Sequence, residues 1–254
     1  KEMLSHYSNL KSWIPFYKST LDSITKKPKN LYYNSVYSNK HNIKVSENLY
    51  LLSSYKDSIN SLIKNSELNK EKYRYSDLPY YILKLYIEDY YSNDLSSLIN
   101  SQLFNEIGMP KASYYPKEIT STNNIAPTEI DNYFRFGEIR GTVHDMGAAM
   151  QGGIGGHAGL FSNANDIAKI MQMYLQGGQY GNKKYFNKST IDLFNKCYYC
   201  EDDNRRGVGF DKPQIEGDGP TCGCISMQSF GHSGWTGTYT WADPEEKIVY
   251  VFLS

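Results

Sequence analysis

A chain of 254 residues is long enough for one large domain or two small ones around a sizeable buried core. Lys plus Arg and Asp plus Glu both number 27, and no block of like charge stands out, so neither nucleic acid nor an anionic membrane gains electrostatic support as a partner. The 24 tyrosines combine apolar rings with polar tips, which reconciles a mean hydropathy of −0.58 with a globular chain, and no apolar run approaches the roughly 20 residues of a membrane helix.

The chain opens on Lys1 in a helix-like segment and closes in the apolar run from Ile248 to Ser254, so it reads as an excised part of a longer protein. Leu51, Leu52, Tyr55, Ile59, Leu62 and Ile63 share one helical face. A second helix is expected after Ser76-Asp77, with Asp77 as N-cap, Pro79 in the first turn and Ile82, Leu85 and Tyr86 inward. A third begins near Asp94, turns Leu95, Leu98, Ile99 and Leu103 inward, and stops at Gly108 and Pro110. Residues 111–150 have little regular period and read as loop.

The glycine-rich run from Gly152 to Gly159 leads into an amphipathic helix over Asn165–Leu175, and a short helix starts at Ser189. After Arg206 the pattern turns to strands at Gly207–Phe210, Ser229–Trp235, Thr238–Ala242 and Lys247–Leu253, the last two joined by a turn at Asp243-Pro244. Helices first and strands last predict an α+β fold, with a mainly helical and loop region over 1–150 and a helix plus antiparallel sheet over 151–254.

Several motifs have bland readings that outweigh the sharp ones. Gly153-x-Gly155-x-x-Ala158 fits a relaxed dinucleotide fingerprint, but Met146 to Gln151 is no buried strand, and a tight structural loop beside a cleft is the better reading. Cys197, Cys200, Cys222 and Cys224 could hold zinc, yet the one-residue spacer of the second pair favours a disulfide staple across adjacent loops, with three connectivities open, or simply reduced thiols. His6, His41, His144, His157 and His232 show no ligand spacing, and Asp202-Asp203 and Glu245-Glu246 read as solvated turns. No metal site is assigned.

Two short strings carry chemistry together. Tyr75-Ser76-Asp77 stands just ahead of a helix, where a phenol can act as a general base if a neighbouring cation lowers its pKa. His232-Ser233-Gly234 lies in the glycine-flanked strand Phe230 to Gly237, whose small residues let a ligand approach the strand edge.

In this order the strings resemble the serine hydrolases that include class C β-lactamases, penicillin-binding DD-peptidases and related esterases, which combine Ser-x-x-Lys, Tyr-x-Asn and Lys-Thr-Gly or His-x-Gly. Leu4-Ser5-His6-Tyr7-Ser8-Asn9-Leu10, Phe104-Asn105-Glu106-Ile107-Gly108-Met109 and Gly159-Leu160-Phe161-Ser162-Asn163-Ala164-Asn165-Asp166 extend the similarity over the whole chain. Val143-His144-Asp145, Gly155 to Gly159 and Gly209-Phe210-Asp211-Lys212-Pro213 are also similar to the module attached to bacterial family 3 β-N-acetylglucosaminidases.

The resemblance implies a β-lactamase/transpeptidase-like α+β fold, one partial hydrolase domain over 1–254, and acyl transfer through a serine. Four local Ser-x-x-Lys strings, at Ser8, Ser23, Ser53 and Ser61, do not sit where the family's does, which places the nucleophile upstream of Lys1. Tyr75 then takes and returns protons, and His232 binds a substrate carboxylate or polarises the site. Ser233 and Gly234 line the acyl group, and the amide of Trp235 is one oxyanion donor. Asp77 replaces the usual Asn, so it can only accept hydrogen bonds and is expected to hold the upstream Lys.

The expected partner is a small-molecule or peptide substrate, with no cofactor. The competing class is a non-catalytic module that binds a cell-wall peptide or sugar, or supports a covalently linked glycosidase domain. Paired cysteines and the resemblance point to the bacterial periplasm or cell surface.

Overall fold

The structure, a computed structural model, describes residues 1–70, 73–202, 204–214 and 219–254. Asp203, one of the acids assigned to a solvated turn, lies outside them. A short 3-10 helix at Phe16–Thr20 is followed by three strands, β1 (Tyr33–Asn34), β2 (Ile43–Ser46) and β3 (Leu49–Leu51), in the antiparallel order β1-β3-β2. In β2 the pleat buries Ile43 and Val45 and exposes Lys44.

This small sheet is absent from the sequence reading, and it takes Leu51 away from the predicted helix. Helix α1 runs only over Tyr55–Lys64 and buries Tyr55, Ile59 and Ile63, while Leu62 stays exposed. Leu51 reaches the same core from a strand, so the helical spacing across residues 51–55 is coincidental.

Helix α2 (Leu78–Tyr91) starts where expected, with Pro79 in its first turn, although the Asp77 side chain makes no capping hydrogen bond. Its inward residues are Leu78, Pro79, Tyr81 and Lys84, whereas Leu85 and Tyr86 are exposed. The inward face is displaced from the apolar one because Lys84 is buried with partners, Glu88 at 3.3 Å and the side-chain oxygen of Gln151 at 3.4 Å.

Helix α3 (Leu95–Ile99) is capped by Asp94, which accepts the Ser97 amide at 2.9 Å. It continues through a π-helical turn, Asn100–Phe104, into α4 (Asn105–Ile107), and Gly108 ends the run in the left-handed region.

Residues 111–150, expected as loop, contain a hairpin, β4 (Pro127–Asp131) with β5 (Gly137–Arg140), and the short helix α5 (Met146–Ala149). The hairpin turns on a side chain. Buried Asp131 accepts the amides of Tyr133 and Phe134 at 3.0 and 2.8 Å and pairs with Arg135 at 2.8 Å. Strands so exposed leave no apolar period to read.

Helix α6 (Ala164–Leu175) is capped by Asn163, which accepts the Asp166 amide at 2.8 Å. A two-residue hairpin, β6 (Gln179–Tyr180) and β7 (Lys183–Lys184), leads to α7 (Lys188–Asn195). The chain then forms the expected meander, β8 (Phe230–Ser233), β9 (Tyr239–Asp243) and β10 (Ile248–Phe252), antiparallel in the order β10-β9-β8. Gly207–Phe210 is not a strand. Gly209 has a φ of +91° and the Gly207 amide donates to the Phe210 carbonyl, so the segment turns back on itself.

Phe16, Leu51, Ile59, Leu78, Tyr81 and Phe134 anchor a core beneath α1 and α2. On α6, Met173 faces Phe104, Ile107 and Met109, while Met171 faces Phe230 and Ala242 of the meander, so one helix ties the two regions together. The glycine-rich run follows α5 rather than a strand and packs on α2. A Cβ at Gly156 would lie 2.4 Å from the Tyr80 carbonyl oxygen, which explains the glycine without any phosphate.

The cysteines pair as Cys197–Cys200 and Cys222–Cys224, each closing its own short ring. This is one of the three connectivities left open by the sequence, and it closes each loop on itself instead of stapling one loop to the other. Their Cα separations, 5.7 and 5.4 Å, lie within bridging range for near neighbours in sequence. No group of three or more metal-ligating side chains gathers among the described residues, and no helix among them is long and apolar enough to cross a membrane.

Candidate active site

Tyr75 stands in the extended segment that leads into α2, and its ring is held from two directions. The His6 ring lies 4.3 Å away, tilted by 30°, and the guanidinium carbon of Arg206 is 5.1 Å from the ring centroid. The phenol makes no hydrogen bond among the described residues, which leaves it available to a reacting group. Burial of the ring and the nearby Asp77 carboxylate raise its pKa, against the pull of Arg206. Arg206 is a cation beside the phenol, but desolvation outweighs it, so a proton is held rather than shed.

His6 is fully inside, with a backbone φ of +55°. Its Nδ1 accepts the Ser76 amide at 3.1 Å and lies 3.1 Å from the Ser76 carbonyl oxygen. Burial first, and then the charges of Arg206 and His232, push its pKa down to about 3. A neutral imidazole therefore packs against Tyr75 and fixes the backbone next to it.

His232 projects from β8, with its ring centroid 6.3 Å from that of Tyr75. Its Nδ1 lies 2.6 Å from the Ser233 carbonyl, and its Nε2 lies 3.1 Å from Nη1 of Arg206. A guanidinium can only donate, so Nε2 accepts and the proton sits on Nδ1. Arg206 also donates through Nε to the Tyr73 hydroxyl at 3.1 Å and pairs with buried Asp211, whose same oxygen, Oδ1, Arg205 meets at 2.8 Å. One buried guanidinium thus joins both predicted catalytic residues.

Asp77 does not meet His232. It borders a small cleft with Trp13, Tyr81, Asp145 and Gly147, where its carboxylate makes no hydrogen bond among the described residues. Burial raises its pKa, opposed by the charge of His157 and reinforced by Asp145. Asp145 behaves in the opposite way. Burial alone would raise it, but the His157 Nε2 bond at 2.9 Å and the Ala148 amide at 2.6 Å hold it below the usual carboxylate range. The His157 ring stacks on Tyr81 at 4.5 Å.

Ser233 ends β8 with its side chain exposed. Gly234 lacks a side chain for a reason other than the one expected. The Cβ position would fall 2.1 Å from Oγ1 of Thr238, so that hydroxyl, not an acyl group, fills the space. Trp235 is 84% exposed and its ring runs parallel to that of His144 at 6.4 Å. Its amide makes no backbone hydrogen bond among the described residues, as an oxyanion donor requires.

The sequence reading missed Arg206, Asp211 and Tyr73, and it gave His6, Asp145 and His157 no role. The last three stand inside strings that carry the family resemblance, which was the available signal. Arg206 had none, because its partners come from distant parts of the chain. None of the serines at 8, 23, 53 and 61 hydrogen-bonds to Tyr75 or His232; Ser53, for instance, donates to the Lys40 carbonyl at 2.9 Å.

A sequence profile of the family described as Beta-lactamase matches residues 40–254. A protein of Escherichia coli K12, provisionally named D-alanyl-D-alanine carboxypeptidase, is 35% identical over 199 residues, covering 72% of this chain and 45% of its own. A Salmonella enteritidis protein of the same name is 34% identical and covers 80% of this chain and 50% of its own. The chain spans about half the length of these curated relatives.

Among solved structures, a penicillin-binding protein from Bacillus halodurans superposes with a TM-score of 0.60 at 12% identity, over 98% of this chain and 65% of its own. The octameric penicillin-binding protein homologue of Pyrococcus abyssi gives 0.59 at 18% identity, over 98% and 49%. At such identities these likenesses establish the fold, which is of the β-lactamase/transpeptidase type with mixed helices and small antiparallel sheets.

Proposed function

The chain belongs to the β-lactamase family, and on that premise we propose that it supplies one wall of a serine hydrolase site acting by acyl transfer. The substrate is an amide or ester such as a β-lactam, a D-amino-acid peptide or a cell-wall fragment. The observation that carries the reading is the approach of Tyr75 and His232, each held by Arg206.

In this reading the nucleophile is the serine of a Ser-x-x-Lys segment preceding Lys1 in the same polypeptide. Attack on the substrate carbonyl forms a C–O bond while the serine proton passes to the Tyr75 oxygen and the phenol's own proton passes to the leaving nitrogen or oxygen as its bond breaks. Water releases the acyl group by the reverse relay. Burial keeps Tyr75 protonated, so it gives up one proton as it takes another. His232, held between the Ser233 carbonyl and Arg206, helps to bind a substrate carboxylate or to polarise the site. Trp235 N–H stabilises the oxyanion. The names of the curated relatives favour a D-alanyl peptide, and the disulfides favour the periplasm or cell surface.

The test is intact-mass analysis of the full-length polypeptide after exposure to benzylpenicillin and to a D-alanyl-D-alanine peptide. A covalent adduct on a Ser-x-x-Lys serine, or release of D-alanine, supports hydrolysis. Binding of the peptide with neither outcome replaces the reading by a non-catalytic module, including one linked to a glycosidase.

A further inference from the structure

The segment around Cys197–Cys200 reaches both sides of the site through different residues. The disulfide closes a ring that contains Tyr198 and Tyr199. The Tyr199 ring stacks on Tyr7 at 4.2 Å, nearly parallel, and its hydroxyl donates to Glu2 at 3.1 Å. Tyr7 in turn donates to Asp202 at 3.2 Å. The Tyr199 carbonyl accepts the amides of Asp202 and Asn204 at 3.0 and 3.3 Å, so the ring sets the position of Asn204.

Asn204 is fully buried and divides its side chain between the two walls. Its Nδ2 donates to the Ser5 carbonyl at 2.9 Å, and its Oδ1 accepts the Arg206 amide at 3.1 Å. Ser5 and Tyr7 flank His6, which backs Tyr75, while Arg206 holds His232. Ser5 Oγ closes the seam by donating to the Gly207 carbonyl at 2.9 Å.

We infer that the Cys197–Cys200 disulfide is a redox-sensitive clamp that positions His6 and Arg206 together, and through them Tyr75 and His232. Its part in turnover rests on the hydrolase reading above; the clamp itself does not. Both cysteines are partly accessible. A dithiol reductant delivers two electrons and two protons, cleaving the S–S bond to two thiols and itself closing to a disulfide. Opening the ring removes the covalent restraint on the Tyr199 backbone, so the carbonyl that orders Asn204 is held less firmly.

Hydrogen exchange of the full-length protein, oxidised and after reduction by dithiothreitol, tests the clamp without reference to activity. Reduction should speed amide exchange about ten-fold or more at residues 4–7 and 204–209 and leave α6 unchanged. The double variant Cys197→Ser/Cys200→Ser should behave like the reduced protein, and Cys222→Ser/Cys224→Ser, whose exposed ring makes no hydrogen bond to either wall among the described residues, like the oxidised one. Unchanged exchange at both segments after confirmed reduction overturns the clamp. If the first variant does not fold, reduction of the natural protein decides. Faster exchange together with an about ten-fold lower rate of acylation by benzylpenicillin links clamp to site. Faster exchange in a protein that never acylates keeps the clamp and removes the hydrolase reading.

Discussion

Arg206 lies 3.1 Å from Nε2 of His232 through one guanidinium nitrogen and is paired through the same nitrogen with the buried carboxylate of Asp211. The histidine is therefore positioned by a cation that is itself neutralised. Arg206→Gln should cost about 3 kcal/mol of stability, because Asp211 keeps only Arg205, and should also release the His232 tautomer. Denaturant unfolding of Arg206→Gln, of Asp211→Asn and of the double variant measures the coupling. Strictly additive losses would show that the pair is not a unit.

Tyr75→Phe keeps the ring between His6 and Arg206 and removes only the hydroxyl. Since that hydroxyl has no internal partner, Tm should stay within about 2 °C, while acylation by benzylpenicillin falls about 10²-fold or more. Stopped-flow acylation of the full-length protein separates this outcome from a packing role, in which Tm falls and the rate does not.

Trp235 follows the last ladder residue of β8, so replacing its amide disturbs no strand pairing. Trp235→Pro should reduce turnover about 10²–10³-fold with little change in stability. Trp235→Ala, which keeps the N–H, should lose far less. Equal losses in the two variants would assign the effect to the indole ring.

The pKa of His6, pushed from 6.5 to about 3, fixes a sign for stability against pH. Below 6.5 the unfolded chain takes up a proton that the folded chain refuses. The contribution is therefore complete above pH 6.5 and shrinks as pH falls toward 3. Urea titrations at about pH 4 and pH 7 should show a larger loss in the natural protein than in His6→Gln.

Asp77 carries the opposite sign. Its pKa lies above the usual 3.8, so the folded chain binds more protons than the unfolded one as pH rises from 3.8 through the raised value, and stability declines over that window. Asp77→Asn should raise Tm at neutral pH and leave it unchanged below pH 3.8. A lower Tm at neutral pH would mean that the carboxylate has a cationic partner in the full-length protein.

Elements with a continuous apolar period were legible in the sequence. Helix α6, with Met171 and Met173 buried on different cores, and the meander of β8 to β10 fall close to their expected positions. The hairpin of β4 and β5 did not announce itself, because it is built around Asp131 and Arg135 rather than around alternating apolar residues. Helix α2 was found with its face displaced, since a buried lysine cannot be read as inward from hydropathy. At the site, Tyr75 and His232 were visible as short strings. Arg206 was not, because its function arises from Tyr73, Asp211 and His232, which only the folded chain assembles.

The left-handed backbone at His6 limits how this position can change over generations. Glycine or asparagine would relieve the φ of +55° but withdraw the ring that faces Tyr75; a phenylalanine would keep an aromatic face but lose the acceptor for the Ser76 amide and remain strained. No single replacement meets the conformational and the chemical demand together. Drift here must pass through a variant that fails one of them, so descendants are expected either to keep the histidine or to rebuild the backbone of residues 4–7 at the same time.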